Sequence, residues 1–93
     1  MAALDDILRS RPAVAVQKTP EGAIAVDMAT GRCWELNQVG AAFWARLDGS
    51  TALREIADSI GRSFNVSADV VERDLLDLAD RLASAGLVER ATR

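Results

Sequence analysis

The sequence predicts an α+β domain, a three-stranded antiparallel sheet followed by three helices. Three observations carry that reading. The chain has 93 residues and is 49% hydrophobic, enough for one small core. Residues 13–36 break at Gly and Pro turn signals into strand-length runs. From residue 37 onward the apolar residues instead recur at helical spacing.

Residues 1–12, ending at Pro12, read as a flexible N-terminal tail or short helical lead-in ahead of a domain spanning 13–90. The runs AVAVQK, AIAVDM and RCWEL are separated by TPEG and ATG, the pattern of a meander. Large and small residues alternate along each run. This places Val14, Val16, Ile24, Val26, Met28, Trp34 and Leu36 on the inner face, and Ala13, Ala15, Ala23, Ala25, Cys33 and Glu35 on the other. Asn37 is a good N-cap for a first helix carrying Val39, Phe43 and Leu47, with Gly49 as its stop. Ser50 or Thr51 is expected to cap a second helix, whose core stripe is Leu53, Ile56, Ala57, Ile60 and Phe64. Ser67 should cap the third and longest helix, with Val71, Leu75, Leu78 and Leu82 inward. Gly86 then stands where a left-handed residue closes a helix, and Leu87 and Val88 pack back after it. Three strands followed by three helices suggest a winged-helix-like arrangement.

The residue types exclude most chemistry. There is no histidine, so the commonest general base, the usual zinc ligand and every Ser/His or Cys/His pair are absent. The single cysteine, Cys33, forbids an intramolecular disulfide, fits a reducing cytoplasm, and reads as a small packing residue. The acidic residues of the third helix, Asp69, Glu72, Asp74, Asp77 and Asp80, read as a solvated face interleaved with Arg73 and Arg81. No phosphate-cradling glycine loop, signal peptide or membrane span is present. The chain is expected to be cytoplasmic and not an enzyme, with no cofactor and no metal.

Nucleic acid is disfavoured too. Net charge is −3, and a major-groove helix needs cations to displace phosphate counterions. Here the third helix is acidic and the second is balanced, Arg54 and Arg62 against Glu55 and Asp58. A winged-helix transcription regulator remains only as a rival that steep salt dependence of DNA binding would reveal.

What is left is a surface. The third strand, Arg32 to Leu36, comes last in the meander, so one side should present unpaired N–H and C=O groups. Arg32 and Glu35 either blunt that edge or flank a site for an extended peptide that adds as a strand. Val70 and Leu76 flank the core stripe of the third helix, open between core edge and groove wall. An adaptor that binds only an enzyme is a third reading.

The run Thr30-Gly31-Arg32-Cys33-Trp34-Glu35-Leu36-Asn37 resembles the TG-x-x-W/Y-x-LN pattern of the PqqD-like family. Gly40-Ala41, Phe43-Trp44, Leu47-Asp48-Gly49-Ser50, Glu55-Ile56-Ala57, Val70 with Asp74-Leu75 and Leu78, and Gly86-Leu87 add to the likeness, which covers about residues 13–89. The resemblance implies a recognition element for the leader segments of ribosomally made, modified peptides. It implies that the leader adds beside the third strand, against the third helix. Carried over position by position, the peptide-binding residues are Arg32, Cys33, Trp34 and Glu35 on the strand and Val70, Val71, Asp74, Leu75 and Leu78 on the helix. Within the family the TGRCWELN style is most similar to stand-alone lasso-peptide leader-binding proteins. That implies a leader-cleaving cysteine protease and an ATP-dependent macrolactam synthetase as partners, with no nucleic acid and no membrane. The alternative is a PQQ-pathway type of peptide chaperone serving a radical SAM enzyme. An open edge strand also permits a strand-swapped dimer beside the monomer.

Overall fold

The computed structural model describes residues 2–91. In chain order the elements are β1 (Ile7–Ser10), β2 (Val14–Thr19), β3 (Gly22–Asp27), β4 (Cys33–Asn37), α1 (Gln38–Ala45), β5 (Asp48–Ala52), α2 (Leu53–Phe64), α3 (Ala68–Ser84) and β6 (Val88–Arg90). The fold is α+β and winged-helix-like. The expected meander is present as the antiparallel sheet β2-β3-β4, and the expected helices follow it. A second sheet, β5-β1-β6, was not foreseen.

The N-terminal tail is therefore corrected. Residues 7–10 form the central strand of the second sheet, pairing antiparallel with β5 on one side and β6 on the other. Ile7 and Leu8 are buried, and the Arg9 guanidinium donates twice to Glu89 across the β1–β6 pair. The hydroxyl residues proposed to cap α2, Ser50 and Thr51, lie in β5, and Ala52 stands at the cap without a side-chain bond. Helix α1 stops at Ala45, ahead of Leu47 and Gly49. Ser67 does begin α3, through its carbonyl rather than its hydroxyl.

The faces of the meander also differ from expectation, and a bulge is the reason. Asp27 accepts from the Gly31 N–H at 2.7 Å and donates its own N–H to the Arg32 carbonyl at 2.8 Å, with Gly31 at φ +78°. The extra residue shifts β4 by one position against β3, so Trp34 faces Ala25 and Leu36 faces Ala23. Ala23 and Ala25 turn inward and are buried, and Ile24 and Val26 fall on the opposite face, half-buried. Small residues suit this strand because α1 packs on it, with Phe43 fully buried. Met28 and Val16 are exposed.

Asn37 caps α1 as expected, its side chain accepting from the Gly40 N–H at 2.8 Å. Helix α3 ends in a Schellman motif. The Leu87 N–H reaches the Leu82 carbonyl and the Gly86 N–H the Ala83 carbonyl, with Gly86 at φ +79°. This folds Leu87 and Val88 into the core and launches β6 back alongside β1. The core joins both layers through Leu8, Leu36, Phe43, Leu53, Ile56, Ile60, Leu75, Leu82 and Leu87.

Candidate functional site: a groove beside an open strand

Among the described residues β4 pairs only with β3, which leaves its other side open. The bond between Asp27 and Arg32 fixes which groups point outward. Antiparallel partners alternate between bonded and non-bonded pairs. Arg32 belongs to a bonded pair, so Trp34 and Leu36 also spend their backbone groups on β3. Cys33 and Glu35 direct theirs to the open side.

Helix α3 forms the wall. A cleft of about 380 Å³ lies between Glu35, Leu36 and Asn37 of β4, Val39 and Gly40 of α1, and Asp74, Leu75, Asp77, Leu78 and Arg81 of α3. Next to it, about 460 Å³ is bounded by Arg32 and Trp34 on the strand and Asp80, Arg81, Ser84 and Ala85 on the helix. The helix therefore runs antiparallel to β4, with Asp74 at the Asn37 end and Ser84 at the Arg32 end. The wall residues 74, 77/78, 81 and 84/85 form one stripe at helical spacing beside the core stripe Val71, Leu75, Ala79 and Leu82.

The structure thus brings together six of the nine residues singled out from sequence: Arg32, Trp34, Glu35, Asp74, Leu75 and Leu78. Cys33 is exposed and lines neither cleft, though its backbone faces the open edge. Val71 is buried against α2, where a Cβ on Gly61 would meet its Cγ2 at 3.8 Å. Val70 is exposed and lines neither cleft. Sequence reasoning missed Asp77, Arg81, Ser84 and Ala85, although stepping three and four residues on from Asp74 reaches each of them. Leu75 is 1% exposed and so belongs to the core as much as to the wall, whereas Leu78 is half-buried and offers its side to the cleft.

Charge is distributed unevenly along the groove. Asp77 pairs with Arg81 at 3.1 Å, and the Asp80 carboxylate accepts from the Ala2 backbone N–H. Glu35 and Asp74 enter no ion pair among the described residues. No group of three or more His, Cys, Asp or Glu among those residues is placed to hold a metal ion. No helix of the structure is long and apolar enough to cross a membrane.

Together these features define a class: a small α+β domain whose cleft lies between an open strand and a helix and whose polar groups are backbone amides, carboxylates and two guanidinium groups. The chain belongs to the PqqD family, described as coenzyme PQQ synthesis protein D, whose profile matches residues 22–88. Among solved structures it is similar to TbiB1 in complex with the TbiA(β) leader peptide, at 30% identity, covering 87% of this chain and 94% of that one with a TM-score of 0.77. It is similar to a lasso peptide synthetase B1 complexed with its leader peptide, at 26% identity, 89% and 98% coverage and a TM-score of 0.78. The PqqD portion of Methylobacterium extorquens PqqCD, a stand-alone RiPP recognition element, shares the fold at 21% identity, 95% and 94% coverage and a TM-score of 0.80. No curated protein matches.

Proposed function

We propose that this chain is a non-catalytic recognition module. It binds the leader segment of a ribosomally made precursor as an added strand on β4 and holds the precursor for the enzymes that mature it. The observation that carries this reading is the open side of β4, where Cys33 and Glu35 offer paired donors and acceptors beside the α3 wall. The relatives solved with leader peptides at 30% and 26% identity support it.

Magnitudes say which parts matter. Two outward residues supply up to four backbone hydrogen bonds, about 4 kcal/mol at roughly 1 kcal/mol each. Micromolar affinity needs about 8 kcal/mol. The remainder has to come from side chains seated in the groove, against the half-buried Leu78 and the exposed Asp74 of α3 and the half-buried Trp34 of β4. Once held, the core peptide meets a docked enzyme at an effective concentration of roughly millimolar for a short linker. A leader-cleaving cysteine protease and an ATP-dependent macrolactam synthetase in the cytoplasm are the enzymes this reading assigns.

The test is a fluorescence-anisotropy titration with leader peptides from precursors encoded beside this chain's gene. Sub-micromolar binding is expected, weakened at least about tenfold by Leu78→Asp in a domain with unchanged circular dichroism. Failure of every neighbouring leader to bind would overturn the reading. Leu75→Asp is unsuitable here, because a carboxylate at a position 1% exposed would unfold the domain.

A further inference from the structure

We infer that the groove reads the charge order of its peptide: a cationic side chain seats at the end lined by Glu35, Asp74 and Asp77, and none is accepted at the Arg32–Arg81 end. The inference rests on the leader-binding reading and specifies which leaders this groove takes.

The two clefts are opposite in sign. The first holds three carboxylates, Glu35, Asp74 and Asp77, against one guanidinium, that of Arg81. The second holds Arg32 and Arg81 against Asp80, whose carboxylate is already engaged by a backbone N–H. A peptide cation at the second end would meet Arg32, which is in no ion pair among the described residues, and Arg81, whose charge is partly offset by Asp77. At the first it would meet Asp74 and Glu35, neither of them in an ion pair among the described residues. Backbone pairing on β4 is blind to side-chain identity, so this difference supplies discrimination that the strand edge cannot.

Geometry sets how the charges fall along the peptide. From Asp74 to Arg81 is seven residues of helix, about 10 Å at 1.5 Å per residue. A strand covers that distance in about three residues, and only alternate side chains face α3. The cation and the position that must not carry one therefore lie two or four residues apart in the bound segment. Asp74 and Asp77 reach the cation from the helix side, while Glu35, on the opposite face from Trp34 and Leu36, adds its negative charge to that end of the groove from the strand edge.

The experiment uses the full chain and the fluorescein-labelled leader peptide of the neighbouring precursor, with each Lys and Arg reversed to Glu one at a time. Binding is read by anisotropy at about 50 mM and 300 mM salt, since an exposed charge contact weakens with screening. The expected result is one peptide cation whose reversal weakens binding at least about tenfold at low salt, and whose loss is recovered on the Asp74→Lys variant. Carbodiimide coupling should join the original lysine, or a lysine replacing arginine there, to Asp74, Asp77 or Glu35, mapped by mass spectrometry. Asp74 is exposed, so its replacement leaves the fold intact. A leader that binds the native chain equally well after every reversal would overturn the charge reading and leave leader binding standing. If the unaltered leader does not bind at all, the leader-binding reading fails instead.

Discussion

The two sheets of this domain are built by opposite routes. In β2-β3-β4 each strand pairs with its neighbour in sequence, across two short turns. In β5-β1-β6 the middle strand pairs with segments about forty and eighty residues away. Their edges differ as well. Strand β6 has three residues, with Glu89 held by Arg9 and near Arg11. Strand β5 pairs irregularly with β1, and its turn is closed by Asp48. Both are blunted in ways that discourage another strand. Strand β2 is a longer edge, but it lies outside both clefts of the α3 groove. Among the described residues β4 combines a regular five-residue edge with the α3 wall along its length. One sheet closes the fold and the other leaves a side open.

The largest expected effect tests the closing role. Deleting residues 1–12 removes β1, strands β5 and β6 without partners, and exposes the core around Ile7 and Leu8. Each of those side chains contributes about 1.5–3 kcal/mol by burial. Domains of this size have only about 5–15 kcal/mol in total. The truncated chain should lose its cooperative urea transition. Retention of that transition at the native midpoint would make β1 an ornament and the second sheet dispensable.

The same contrast explains what could be read from the sequence. Signals local in sequence survived: Asn37 before α1, the turn residues of the meander, and Gly86 with Leu87 after α3. The strand β1 was invisible because ILRS is short and flanked by charges, and nothing near it declares partners so far away. The faces of β3 were inverted by a single bulged residue at Gly31, which propensity does not reveal. The candidate site divided in the same way. Its strand half, Arg32 to Glu35, was legible from its place at the end of the meander. Its helix half was displaced towards Val70 and Val71, because the direction in which α3 crosses β4 is a tertiary fact. The wall instead continues to Arg81, Ser84 and Ala85.

A smaller effect separates the two sides of β4 itself. Proline removes one N–H, and the pairing parity says which side loses it. At Cys33 that N–H faces the open side, so Cys33→Pro should leave the urea midpoint nearly unchanged while leader affinity falls by about tenfold, the worth of roughly one hydrogen bond. At Trp34 the N–H is spent on Ala25, and Trp34→Pro should destabilise the fold by about 3 kcal/mol or more. Equal losses of stability in the two variants would show that the parity is wrong, and with it the assignment of Cys33 and Glu35 to the peptide.

The smallest effect lies at the blunted edge of β5. Asp48 accepts the Ser50 N–H at 2.9 Å, and also the Thr51 hydroxyl at 2.8 Å and the Thr51 N–H at 2.9 Å. These bonds, led by the Ser50 N–H, lower its pKa from the ordinary 3.8 to about 2. A carboxyl with a lower pKa in the folded chain stabilises the fold in its charged form. That contribution is complete above pH 3.8 and disappears as pH falls through about 2. Asp48→Ala should therefore lower the thermal midpoint by a constant amount near neutral pH, with the gap to the native chain narrowing between pH 4 and pH 2. Acid limbs that stay parallel over that range would mean the Asp48 turn does nothing for stability in its charged form. The contrast between a self-satisfied edge at β5 and an unsatisfied one at β4 would then rest on strand length and regularity alone.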